Sequence, residues 1–384
     1  MAWTGYQLFL AGLLVGTGSI NTLATKWADK AVVPGSPHGR LRNGTSTLTP
    51  HPFSHPFLQA LGMFFGEFTC LLMFKLLLWF YNRRAGDPSD EAMMPNILKG
   101  NRSFNPLIFL PPALCDMIGT TVMYVGLNLT YASSAQMFRG AVIIFTGLFS
   151  MLLLRRRLVC FQWIGIVIVL AGLTIIGCAD MFFGNNRYVG NEPNTAGVIT
   201  GDFLIIAAQV IVATQMVLEE KFLLGNNVPP MQAVGWEGFF GMICLGLLLV
   251  PFYFVYVDGA PIEDTVDGLY QIYNSRQVAI GYFGTVTSIS FFNFAGVSVT
   301  KELSATTRTV LDSVRIIVIW VFSLAVQWQD FTVLTLGGFA VLLTGMMLYN
   351  NVLIMPFLVS RGCVANPAAS DTDDDRRVLA NEES

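Results

Sequence analysis

At 384 residues, 53% of them hydrophobic and only 12% charged, the chain carries more apolar side chain than a soluble core of this size can cover, so lipid is its expected solvent. The formal net charge of −3, with no basic stripe interleaved with aromatics, offers nothing for a nucleic acid to bind. Six cysteines (Cys70, Cys115, Cys160, Cys178, Cys244 and Cys363) stand far apart without Cys-x-x-Cys or Cys/His spacing, so neither a disulfide framework nor a zinc site is expected.

Crossing about 30 Å of hydrocarbon takes about 20 helical residues. Ten runs meet that need. In chain order they start near Tyr6, Pro56, Asn105, Ser133, Val159, Gly201, Gln232, Val278, Ser304 and Phe331. They end near Leu23, Phe80, Leu129, Leu154, Phe183, Leu218, Val257, Thr300, Gln327 and Tyr349. Pro111-Pro112 interrupts the third and Pro251 the seventh, which a membrane helix tolerates when its neighbours satisfy the freed carbonyls. The first run has no basic segment before it and no clear cleavage site after it, so it reads as a span rather than a signal peptide.

With both ends in the cytosol, twelve Lys and Arg fall on the cytosolic side and six on the other. The triplet Arg155 to Arg157 is the strongest single vote for that orientation. The Asn43-Gly44-Thr45 sequon then faces the lumen, making Asn43 the candidate glycosylation site, whereas Asn101-Arg102-Ser103 faces the cytosol and Asn128-Leu129-Thr130 lies too near the membrane.

An internal repeat is readable. Ser134-Ala135 aligns with Ser304-Ala305 at an offset of 170, and Gly165 and Gly172 align with Gly338 and Gly345 at an offset of 173. The unit is five helices used twice. An odd number of spans inverts the second copy, giving an all-α integral membrane fold of ten helices in two inverted repeats around one cavity. The expected organisation is a first repeat over 1–183, a lumenal linker over 184–200, a second repeat over 201–355 and a disordered acidic cytosolic tail over 356–384. Glycines at helical spacing, such as Gly12/Gly16, Gly62/Gly66 and Gly235/Gly238/Gly241, read as close helix packing.

Ionisable groups at membrane depth are costly, so those present are site candidates. Arg308, Asp312 and Arg315, at i, i+4 and i+7 of the ninth span, share one face, and two guanidiniums around one carboxylate leave a net positive charge for an anionic or zwitterionic solute. Arg139 offers a second cation from the repeat-related fourth span. Structural ion pairs are the competing reading for all of them. Glu67, Asp116 and Glu237 are candidate proton carriers or partners of those arginines. Asn293 offers a hydrogen bond without charge, and Tyr124 a ring to stack on a planar ligand. His38, His51 and His55 all fall in the first loop, where Pro52 and Pro56 argue against a helix aligning two of them as metal ligands; a solvated loop is the expectation. No P-loop or nucleophile elbow appears, so an enzyme is not expected and energy comes from a gradient or exchange.

The segments FLPPALCDMIGTTVMYVGLNLTYASSAQMFRGAVIIFTGLFSMLLLRRRL and FFNFAGVSVTKELSATTRTVLDSVRIIVIW, with the opening MAWTGYQLFLAGLLVGTGSINTLATKWAD, resemble the F subfamily of solute carrier family 35, in the drug/metabolite transporter superfamily. The resemblance runs from about Met1 to Tyr349. It implies the drug/metabolite transporter fold, a transport role without cofactor or metal, a small-molecule substrate with nucleotide sugars among the candidates, and lysosomal or mitochondrial membranes, with the Golgi as a further alternative. It also implies an adenine nucleotide translocase as partner, which keeps a non-transporting scaffold open as the second reading. Asp374 with Val378-Leu379 approximates an acidic dileucine signal for endosomes or lysosomes. Homodimerisation stays open.

Overall fold

A computed structural model describes residues 4–37, 46–84, 99–129, 137–154, 158–183, 195–257, 260–303, 305–326 and 333–349. Helix dominates them, as an apolar solvent requires, since only helices and closed barrels satisfy their own backbone hydrogen bonds in lipid. In chain order the α-helices are α1 (Gly5–Asp29), α2 (Pro56–Arg84), α3 (Leu110–Leu129), α4 (Val142–Leu153), α5 (Cys160–Phe183), α6 (Thr195–Asn226), α7 (Pro230–Phe254), α8 (Thr265–Asn274), α9 (Arg276–Glu302), α10 (Ala305–Ala325) and α11 (Val333–Tyr349). Short 3₁₀ turns, Pro106–Phe109 and Arg139–Ala141, lead into α3 and α4.

Seven of these segments are long and apolar enough to cross a membrane: Gly5–Asp29, Pro56–Arg83, Pro106–Leu127, Cys160–Ala179, Ala196–Asn226, Pro230–Phe254 and Arg276–Glu302. Arg139–Leu153 and Leu336–Tyr349 are apolar but shorter, and α10 spends three positions on Arg308, Asp312 and Arg315. Large apolar side chains such as Phe203, Leu247 and Phe254 face outward, which in water would be an aggregation hazard and in lipid is the favourable arrangement.

Local signals set several boundaries. Thr4 caps α1 in a reciprocal capping box with Gln7. Asp264 caps α8 through the Asp267 N–H, and Ser275 caps α9 through the Val278 N–H. The Pro111-Pro112 pair sits in the first turn of α3, just past the 3₁₀ turn, where missing N–H groups cost least. Pro251 lies in the last turn of α7.

The closest helix partnerships are α1 with α9, α2 with α7, α3 with α6, and α5 with α11. Glycines bring the backbones together. A Cβ on Gly172 would sit 2.6 Å from the Leu342 nitrogen, and one on Gly345 would sit 2.6 Å from the Val169 nitrogen. Likewise Gly165 abuts the Tyr349 backbone, and Gly338 abuts Ile176. Between α2 and α7, Gly238 lies against Phe68, where an added Cβ would come 2.5 Å from the backbone nitrogen. Gly12 and Gly16, by contrast, have nothing within 4 Å of an added Cβ, so their spacing serves no helix contact here.

Three expectations need correcting. The sixth run does not stop near Leu218: α6 continues to Asn226, because Phe222-Leu223-Leu224 extends its apolar face beyond Glu219-Glu220-Lys221. It also begins at Thr195, inside the segment read as linker. The first loop is not simply solvated. β1 (Val32–Val33) pairs antiparallel with β2 (His51–Pro52), and the connection between α7 and α9 folds as a second antiparallel pair, β3 (Tyr256–Val257) with β4 (Ala260–Pro261), followed by α8. His51 and His55 are buried where these two connections meet. His55 Nδ1 donates to Glu263 Oε1 at 2.7 Å, and its Nε2 lies 3.3 Å from Asp267 Oδ2. Burial opposes charge on His55, but hydrogen bonds to Asp267 and Glu263 outweigh it and push its pKa up to about 9. Burial also works against the Asp267 carboxylate, yet hydrogen bonds from His55, the Ser36 N–H and His51 leave its pKa below the ordinary value. His38 and Asn43 lie outside the described residues.

Candidate functional site

A cavity of about 560 Å³ opens at the end of the bundle that holds these loops and reaches the middle of the helices. Its size is that of an ordinary small-molecule site. α1 lines it with Asn21, Lys26 and Asp29, α2 with Glu67, α3 with Asp116, the turn before α4 with Arg139, α9 with Asn293, and α10 with Arg308, Asp312 and Arg315. Elements from the first and the second halves of the chain therefore share one surface. Seven sequence candidates meet there: Arg308, Asp312, Arg315, Arg139, Asn293, Glu67 and Asp116. Glu237 is buried on α7 within electrostatic reach of Arg308 and is not part of the cavity lining. Tyr124 lies on α3 with its side chain outside the described set, and the glycosylation candidate is outside it altogether.

The charges pair differently from the sequence expectation. Arg308 does not spend its charge chiefly on Asp312: its Nη1 donates to Glu219 Oε2 of α6 at 2.5 Å, both side chains being buried. Asp312 instead lies 3.4 Å from Arg315 Nε, one helical turn away. The Arg315 guanidinium also stands 4.8 Å from the centroid of the Phe292 ring, a cation–π contact that fixes its aim. Gln215 Nε2 donates to Glu219 Oε1 at 3.0 Å, and Asn293 Nδ2 donates to Glu67 Oε1. Glu219, the buried partner of Arg308, is missed in the sequence because the sixth run reads there as ending near Leu218.

Lys26, Lys30, Arg139 and Arg315 put four cationic groups on the cavity wall together with Asp29, Asp312, Glu67 and Asp116. Around Arg308, itself on that wall, gather Glu219, Asp312 and Glu237, with Glu67 and Asp116 within electrostatic reach. Toward the opposite end of the bundle, Lys301 Nζ donates to the Val228 carbonyl at 2.9 Å, and the Asn101 N–H to the Asn227 carbonyl at 2.8 Å.

Residues 46–178 match the EamA-like transporter family. Over 384 residues, covering 98% of this chain and 96% of the relative, the sequence is 51% identical to the Homo sapiens protein named "Solute carrier family 35 member F6". The Rattus norvegicus protein of the same name is 52% identical over 356 residues, 91% of this chain and 90% of the relative. A Schizosaccharomyces pombe protein described as uncharacterized is 31% identical over 358 residues, 92% of this chain and all of the relative (100%).

Proposed function

The chain belongs to the F subfamily of solute carrier family 35, and on that premise we propose that it is a secondary-active carrier of a small organic anion or zwitterion, working by alternating access. The observation that carries this reading is the cavity: walls from both halves of the chain that bring Arg139, Arg308 and Arg315 together with Glu67, Asp116 and Asp312. Arg315 and Arg139 receive the anionic group, a phosphate or carboxylate suited to guanidinium. Glu67 and Asp116 hold the proton or the cationic end of the solute.

Ten membrane-crossing helices in two inverted repeats are the architecture that this reading requires, and the packing between α5 and α11 supports it. Gly172 meets Leu342 and Gly345 meets Val169, and shifting each residue by the offset of 173 turns one contact into the other. The same shift turns Gly165 against Tyr349 into Gly338 against Ile176. Exchange of the halves also maps the α1–α9 partnership onto α3–α6 and returns α2–α7 to itself. Cytosolic termini, a glycosylated lumenal loop and a lysosomal membrane complete the reading, on the basis of the loop charges and the acidic dileucine-like tail.

Purified protein in liposomes, offered labelled nucleotides, nucleotide sugars and organic acids under a proton gradient, tests it. Saturable uptake is expected, with Arg315→Gln raising KM by at least about tenfold, the loss of one charge-assisted contact. Uptake with unchanged KM in a folded Arg315→Gln protein removes that residue from the site. A complete lack of uptake, with retention of an adenine nucleotide translocase, favours the scaffold reading.

A further inference from the structure

Away from the cavity, three side chains converge on one point between the two loops. His51 Nε2 lies 2.9 Å from Asp267 Oδ2, His55 Nε2 lies 3.3 Å from the same oxygen, and all three atoms fall within 4.8 Å of one another. Each imidazole is held from behind. His51 Nδ1 is 3.0 Å from the Thr49 carbonyl and His55 Nδ1 is 2.7 Å from Glu263 Oε1, so both rings carry Nδ1–H outward and turn Nε2 inward. The other Asp267 oxygen accepts the Ser36 N–H at 2.6 Å, while Glu263 is itself steadied by the Phe57 N–H at 3.0 Å.

The Gln271 amide nitrogen, donating to the Val33 carbonyl at 3.0 Å, also stands 3.0 Å from His51 Nε2 and holds that ring in place. A proton on His51 Nε2 makes its 2.9 Å contact with Asp267 a hydrogen bond, and a cation that displaces the proton meets the same two atoms. We propose that His51, His55 and Asp267 form a binding site for one divalent zinc-type ion, tying the first loop to the loop before α9. Two imidazole nitrogens and one carboxylate oxygen, each imidazole backed by a carbonyl or carboxylate acceptor, are a zinc ligand set with its outer shell in place. Tetrahedral zinc with ligands at about 2.0–2.1 Å spaces them about 3.3 Å apart, close to the separations present, and leaves the fourth position to water. Because His51 and His55 come from the first half and Asp267 from the second, the ion would clasp the two connecting loops together. This site stands independently of the identity of the cargo.

The test uses the full-length protein in detergent, stripped with a chelator and titrated with zinc chloride by calorimetry, with the bound metal counted by mass spectrometry. One equivalent binding saturably in the micromolar range or tighter is expected. Asp267→Asn and His55→Gln should weaken it at least about 100-fold, and Glu263→Gln, which touches no metal, by about 10- to 100-fold. Should the ligand variants fail to fold, X-ray absorption of zinc-loaded wild-type protein gives the answer without them: a nearest shell at about 2.0–2.1 Å containing two imidazoles is expected. No saturable uptake by the wild type, undiminished uptake by the folded ligand variants, or a shell without imidazole each overturns the assignment.

Discussion

Arg308, on the cavity wall, and Glu219 form a buried ion pair between α10 and α6. Both are buried, and removing the guanidinium strands a carboxylate among Glu67, Asp116 and Glu237. Arg308→Ala should therefore destabilise the protein by about 3–5 kcal/mol, and adding Glu219→Gln should recover part of the loss, because the stranded charge is removed with it. Thermal unfolding of the purified single and double variants measures this; an Arg308→Ala protein as stable as wild type removes the pair from its central place. The one-face grouping of Arg308, Asp312 and Arg315 was legible from spacing alone. Glu219 was not, because a Glu-Glu-Lys cluster ordinarily ends a membrane helix, and only tertiary pairing with α10 makes its burial tolerable.

Among the helices, glycine marks where backbones touch. Gly172→Ala and Gly345→Ala each push a Cβ to 2.6 Å from a backbone nitrogen, which has no flexible end to yield. Each should cost about 1–3 kcal/mol, and by similar amounts if the proposed repeat holds, since both contacts stand at 2.6 Å. Gly12→Ala meets nothing within 4 Å and should be neutral or stabilising by about 0.5–1 kcal/mol. Unfolding temperatures of the three variants give the comparison, and a marked difference between Gly172→Ala and Gly345→Ala would argue against equivalence of the halves. Apolar run length revealed the long helices because lipid imposes both their length and their composition. It could not reveal the two strand pairs, whose strands are two residues long, or α8, which is short and held against the first loop by contacts across more than 200 residues, such as the hydrogen bond between His51 and Asp267. For the same reason the histidines read as solvated: their partners lie in the other half of the chain.

For the molecule as a whole, the central cavity includes Lys26 and Lys30 in its wall, while Lys301 donates to the Val228 carbonyl toward the other end of the bundle. Alternating access requires the same cavity floor to face each side of the membrane in turn, whatever the cargo. A static scaffold exposes it to one side only. Thr120, on the cavity wall one turn beyond Asp116, gives the most direct test. Thr120→Cys, in a background free of native cysteines, would be exposed to a membrane-impermeant thiol reagent in sealed vesicles of each orientation. Alternating access predicts labelling from both sides, with each side's rate changed by ligand; labelling from the loop side alone, with none from the other under any condition, would contradict it.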